Sequence, residues 1–291
     1  MISTVTNPLR ALACLTLAAA LCAVPLAASA QWFGKKAAPK GPPPPPIAPA
    51  PTCDKPLYLT LETGAMDTAP LLAEVLNKHQ VKATFFVANE AANDGKGAMS
   101  FEWGQKFWAQ RGQEGHDFAS LTWDHVAFKG DVKGIAPQFV VQPGAGALAG
   151  RSFTWEPKKY CDQITQARER IEEFTTKKAL PLWHSPSGTP SAKLNAAAQA
   201  CGYQHASYTR AGLLGDSASS ERASSDALVK KALASISAGD VLSAQLGSHK
   251  RQDPWPTSVL EPLIVGLKEK GFCFTTLRHH PSYTAWIAAH P

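Results

Sequence analysis

The stretch from Leu57 to Asn89 constrains the fold more than any other part of the chain. It opens with Leu57-Tyr58-Leu59-Thr60-Leu61, an apolar run of strand-favouring residues that stops at Glu62-Thr63-Gly64. A helical pattern follows. Asp67 or Thr68 can cap it, Pro70 falls where a first turn tolerates proline, and Leu71, Leu72, Val75 and Leu76 recur at helical spacing. After His79-Gln80 comes a second buried run, Val81-Lys82-Ala83-Thr84-Phe85-Phe86-Val87. Strand, helix and strand in this order predict a β-α-β unit, its two strands parallel and its helix crossing between them. In such units the carboxyl ends of the strands carry chemistry, and Glu62 ends the first strand.

The pattern repeats downstream. Helices are predicted over 101–111, 157–178, 191–201, 225–237 and 256–270, alternating with short strands near 115–120, 180–183, 205–208, 240–244 and 272–277. About seven alternations favour an incomplete, distorted parallel (β/α)7-type barrel in a single α/β domain over a sandwich or a bundle. The segment 121–156 reads as a long Gly-rich excursion, and its glycines are not framed as a dinucleotide fingerprint. The domain is expected to span residues 53–280, with 281–291 as a C-terminal tail.

Upstream, one Arg (Arg10) precedes an Ala/Leu-rich stretch ending in Ala28-Ser29-Ala30, the layout of a signal peptide over residues 1–30. An uncleaved anchor is the rival, disfavoured because the stretch is Ala-heavy for a spanning helix. The Pro-rich segment 31–52 reads as an extended linker. The expected location is therefore periplasmic or secreted, with no stable membrane span after cleavage. The net charge of +6 is scattered without a Lys/Arg run, which argues against nucleic-acid binding. Cys53, Cys161, Cys201 and Cys273 remain after cleavage and allow three connectivities. First and last strands are neighbours in a closed barrel, so Cys53–Cys273 is the first pairing expected. No Cys-x-x-Cys indicates a zinc ribbon or redox site.

Thr60-Leu61-Glu62-Thr63-Gly64 followed by Lys82-Ala83-Thr84-Phe85-Phe86-Val87 resembles the polysaccharide deacetylases, carbohydrate esterase family 4. That family's first motif reads Thr-Phe-Asp-Asp-Gly, and a strand like Lys-Ala-Thr-Phe-Phe-Val comes one helix later. The resemblance extends over roughly 55–277 and implies a barrel fold and an acetylated polysaccharide or cell-wall glycan as partner. It also implies a site in which a metal, commonly zinc, activates water and steadies the oxyanion. Carried over by position, the family's base aspartate falls on Glu62 and its metal aspartate on Thr63. The His-Thr-x-x-His motif falls on Leu121-Thr122-Trp123-Asp124-His125, so that His125 is a vestigial metal ligand and the first histidine is replaced by Leu121. The base-orienting Arg-x-Pro-x-Gly falls on His184-Ser185-Pro186-Ser187-Gly188, and the acid histidine on Gln245.

The resemblance thus places catalytic positions at Glu62, His184 and Gln245 and lost ligand positions at Thr63 and Leu121. Loss of a group that merely supports a ligand costs about 10–100-fold in affinity or activity; altering two of three ligands costs more. No cofactor is expected, with zinc or another divalent ion only if Glu62, His125 and His184, aided by Asp67 or Asp124, rebuild a site. The expected function is an exported, catalytically impaired, glycan-binding member of the family, the alternative an active hydrolase of N- or O-acetyl groups. His116 and Asp117 read as core support, and His249 as exposed unless its loop folds inward. Of eight tryptophans, Trp123 and Trp183 are the candidates for stacking on sugar rings, with Trp155 and Trp255 also at predicted strand ends or loops.

Overall fold

The computed structural model describes residues 52–134, 136–186, 188–215, 222–247 and 253–291. The leader, all but the last residue of the Pro-rich segment, Ser187 and His249 lie outside the described residues. The chain builds β1 (Pro56–Glu62), α1 (Ala69–Lys78) and β2 (Thr84–Val87), the expected β-α-β unit. Then come α2 (Phe101–Trp103), a π-helical turn (Gly104–Trp108), α3 (Ala109–Gln113) and β3 (Asp117–Ser120). Next are β4 (Val126–Asp131), β5 (Phe139–Pro143), β6 (Phe153–Trp155) and α4 (Pro157–Thr175). β7 (Leu182–Trp183), α5 (Ala192–Ala200), β8 (Gln204–His205), α6 (Ser225–Ser235) and β9 (Val241–Gln245) follow. A π-helical turn (Pro256–Leu260) leads into α7 (Glu261–Glu269), then β10 (Cys273–Thr275) and α8 (Pro281–Ala289).

All pairings in the main sheet are parallel, in the order β10-β1-β2-β3-β7-β8, with β9 also on β1. β8 and β9 do not pair. The gap is bridged by 209–214, where the Thr209 and Leu214 amides donate to the Val241 and Ser243 carbonyls and the Ser243 amide to Gly212. The result is a mostly parallel sheet curled into a distorted barrel rather than a closed one.

Strand periodicity sorts the side chains into two layers. Leu57, Leu59, Leu61, Phe85, Val87, Phe118, Leu242 and Ala244 pack outward against α1, α4 and α7. The alternate set, Tyr58, Phe86, Ala119, Leu121, Leu182, Ala206 and Val241, shares an inner cluster with Leu277, Tyr283 and Ile287. Glu62 continues the inner row of β1. Across the strand register it lies beside Phe86 of β2 and Gln245 of β9, at the carboxyl-end mouth.

Two sequence expectations need correction. Residues 281–291 are not a tail. α8 buries Tyr283 and Ile287 in the inner cluster, and the Trp286 indole donates to the Pro181 carbonyl at 3.1 Å. Arg278 secures this closing segment by pairing with buried Asp117 at 2.7 Å, and the Thr276 hydroxyl donates to the same carboxylate at 2.6 Å. The excursion 121–156 is not irregular either: β4, β5 and β6 form an antiparallel sheet of their own.

Cys53–Cys273 ties the entry of β1 to β10, the pairing expected first, and Cys161–Cys201 ties α4 to the end of α5. Gly104 sits where a Cβ would lie 2.4 Å from the Phe174 ring, so only glycine lets the π-helical turn approach α4 so closely. Among the described residues no helix is long and apolar enough to cross a membrane.

Candidate functional site

The mouth of the barrel is assembled from strand ends and the loops that leave them. β1 delivers Glu62 and then Thr63. The Thr63 amide donates to the Phe86 carbonyl, and its hydroxyl accepts from the Ala88 amide and donates to Glu90 Oε2 at 2.9 Å. The hydroxyl proton is thereby committed to Glu90, and one of its lone pairs to the Ala88 amide. Glu90, on the loop after β2, has its other oxygen 3.5 Å from His125 Nδ1.

His125 is aimed by a tight loop after β3. Thr122 and His125 both take left-handed backbone conformations, with φ of 64° and 50°. For a β-branched residue this is a strained choice. Hydrogen bonds hold it: the Thr122 amide donates to Ser120 Oγ at 3.0 Å, and the Val126 amide to Thr122 Oγ1 at 2.7 Å. The Trp123 amide donates to the backbone carbonyl of Gln163 on α4, and the Asp124 amide to that residue's side-chain oxygen. A Cβ on Gly144 would lie 3.0 Å from His125 Nδ1, so the β5–β6 loop passes tightly against the ring and a larger residue there would press on it.

Opposite lies His184, at the end of β7 and 6% exposed. Its Nδ1 bonds the Ala206 carbonyl at 2.6 Å, which makes Nδ1 the protonated nitrogen and leaves Nε2 an acceptor. Nε2 is 3.7 Å from Glu62 Oε1, and the Ser243 hydroxyl donates to the same oxygen at 3.4 Å. His205 stacks on His184 at 5.2 Å between ring centres, and Tyr208 tilts against it at 5.2 Å.

Burial governs the charges. Desolvation pushes Glu62 up to about 7, against the weaker opposing effect of the Ser243 hydrogen bond. Glu90 is pushed up to about 7, first by burial and also by the nearby Glu62 charge, with the Thr63 bond acting the other way. Burial, then the neighbouring His184, lowers His125 to about 4; burial also lowers His184. At neutral pH the imidazoles are uncharged. Neither carboxylate forms an ion pair with a Lys or Arg among the described residues.

The structure brings Glu62 and His184 together and places Gln245 next to Glu62 across the β1–β9 register. Leu121 is fully buried in the inner cluster, filling its position with apolar volume. The tryptophans do not line the mouth, a third correction to the sequence reading. Trp183 is fully buried against Tyr160 and His205, Trp155 and Trp255 are buried, and Trp123 packs on the outer core with Arg170 5.7 Å over its ring. Glu90, Ser243 and Tyr208 were missed from the sequence. Glu90 lies in a loop outside every motif, whereas Ser243 carried a signal in its place two residues before Gln245 on an inward-facing strand row.

The donor set does not fit a three-ligand metal. Thr63 and Leu121 offer no ligand, and Asp124 is tied to the Gln163 side chain at 3.1 Å. Among the described residues no group of three or more His, Cys, Asp and Glu side chains could hold a metal ion. What remains is chemistry by carboxylates and neutral imidazoles: proton transfer at Glu62, or recognition of a donor-rich ligand.

The polysaccharide deacetylase family profile matches residues 50–206. A family 4 acetyl xylan esterase from Clostridium thermocellum aligns with a TM-score of 0.57 at 16% identity, over 79% of this chain and 91% of that one. A family 4 pseudoenzyme from Bacillus anthracis aligns with a TM-score of 0.55 at 18% identity, over 79% of this chain and 66% of that one. A peptidoglycan deacetylase from Bacillus subtilis aligns with a TM-score of 0.53 at 15% identity, over 81% and 94%. At these identities the likeness speaks for the fold. A search of curated proteins returned no match.

Proposed function

The chain belongs to the polysaccharide deacetylase family, and from that membership we propose that it is an exported member that binds a cell-envelope glycan and is impaired in hydrolysis. The observation that carries the reading is the fate of two positions. The Thr63 hydroxyl is spent between Glu90 and the Ala88 amide, and Leu121 is packed into the apolar interior. Family chemistry draws on a metal for the nucleophile and the oxyanion, and these side chains supply no ligand for it. The leader-like layout of residues 1–30 supports export to the periplasm or beyond, as do the two disulfides.

One observation favours the rival, an active hydrolase. Glu62 is poised near neutral pH beside an imidazole lone pair, as a general base would be. The two readings separate when the purified protein is given acetylated chito-oligosaccharides and both acetate release and binding are measured. Binding without acetate above the buffer background supports the proposal. Catalytic acetate release that Glu62→Gln abolishes refutes it in favour of the hydrolase.

A further inference from the structure

Two carboxyl groups and an imidazole lone pair lie at the mouth with no Lys or Arg paired to them among the described residues, and that selects a ligand. Glu62 and Glu90 present carboxylate oxygens. His184 Nε2 is an acceptor because Nδ1 is engaged with Ala206, and it has no hydrogen-bond partner among the described residues although the side chain is only 7% exposed. The Thr63 and Ser243 hydroxyls are already used, Thr63 on Glu90 and Ser243 on Glu62, while the Tyr208 hydroxyl and the Gln245 carboxamide are the further polar groups beside them. The carboxylates have no Lys or Arg facing them among the described residues. A protonated primary amine is the complement of such a surface. It carries three donors, no acceptor and one positive charge. An acetamido group is a poorer match, since it brings no charge to offset the carboxylates.

We infer that the mouth recognises a glycan bearing free amino groups, the de-N-acetylated form, with Glu62 and His184 Nε2 taking the ammonium and Glu90 adding negative charge nearby. This deepens the glycan-binding reading and rests on it. Bulk attraction does not explain such binding, because the chain is net positive, +6 with pI ≈ 9.0, and repels a polycation at long range.

The test is calorimetric titration of the full domain with three oligosaccharides of equal length: glucosamine, N-acetylglucosamine and glucose, all β-1,4-linked. The amino form is expected to bind at least about tenfold tighter than the other two, the scale of one or two charge-assisted hydrogen bonds. Glu62→Gln and Glu90→Gln should each erase that preference in a protein that melts no earlier than the parent. Glu173→Gln, on the exposed face of α4, should leave it unchanged. Equal or tighter binding of the acetylated form overturns the inference and leaves the glycan-binding reading standing. If none of the three binds, both fall. If Glu62→Gln fails to fold, Glu90→Gln alone decides, and an undiminished preference in it overturns the inference.

Discussion

Glu62→Gln should stabilise the domain, and only away from acid. Burial raises the folded carboxyl from 4.5 to about 7. The sign follows from where the proton sits. Below about pH 4 the group is protonated in both folded and unfolded chains, and no penalty exists. Between roughly 4.5 and 7 the unfolded chain releases a proton that the folded one keeps, so stability falls as pH rises, reaching the full penalty above 7. Each pH unit between the two values is worth about 1.4 kcal/mol, so the ceiling is about 3 kcal/mol. Residual exposure of 12% and coupling to Glu90 bring the expected gain at pH 8 nearer 2 kcal/mol. In a domain of this size that is a rise in Tm of roughly 4–8 °C. Thermal melts followed by circular dichroism at pH 4 and pH 8 read the difference. A variant that melts earlier than the parent at pH 8, or gains equally at both pH values, would refute the claim that Glu62 lacks a cationic partner.

Other perturbations address the frame. Asp117→Asn strands Arg278 at the base of the barrel and should cost about 3–5 kcal/mol in urea unfolding. Asp117 is buried, yet its pairing with Arg278 and the nearby Lys177 hold its carboxyl below the usual range. Its stabilisation is therefore present above about pH 4 and is lost as pH falls through the folded value, so the variant should show a shallower acid limb. Replacing Cys53 and Cys273 by Ser releases a closure between residues 220 apart in sequence, and should cost up to about 5 kcal/mol by loop entropy. Leu121→Ala opens a cavity in the inner cluster and should cost about 2–5 kcal/mol, read as a drop in the urea midpoint with an unchanged slope.

The legible parts of the chain were those where local pattern and burial agree. The strand at 84–87 is buried on both faces, so it reads as an unbroken apolar run, and α4 keeps a clean helical stripe from Tyr160 to Ile171. α8 was missed because Pro281 reads as a break and the helix is short, with Tyr283 and Ile287 one turn apart as its buried residues. The strands of the excursion were missed because β6 is three residues long and glycines surround it. In the site, motif positions located Glu62 and His184, since the end of a parallel strand fixes where a side chain emerges. Glu90 was invisible because only the fold reveals that the loop after β2 turns it toward Thr63 and His125. The tryptophans misled because residue type says nothing of direction. Trp183 adjoins inward-facing Leu182 and His184 and must therefore point the other way, into the cluster with Tyr160 and Leu194.

Zinc titration of the purified protein at neutral pH, followed by calorimetry, bears most directly on the idea that the rim has lost its ion and kept bare carboxylates. The account predicts no saturable one-to-one binding at micromolar zinc. A single tight site that Glu62→Gln or His125→Ala removes would contradict it.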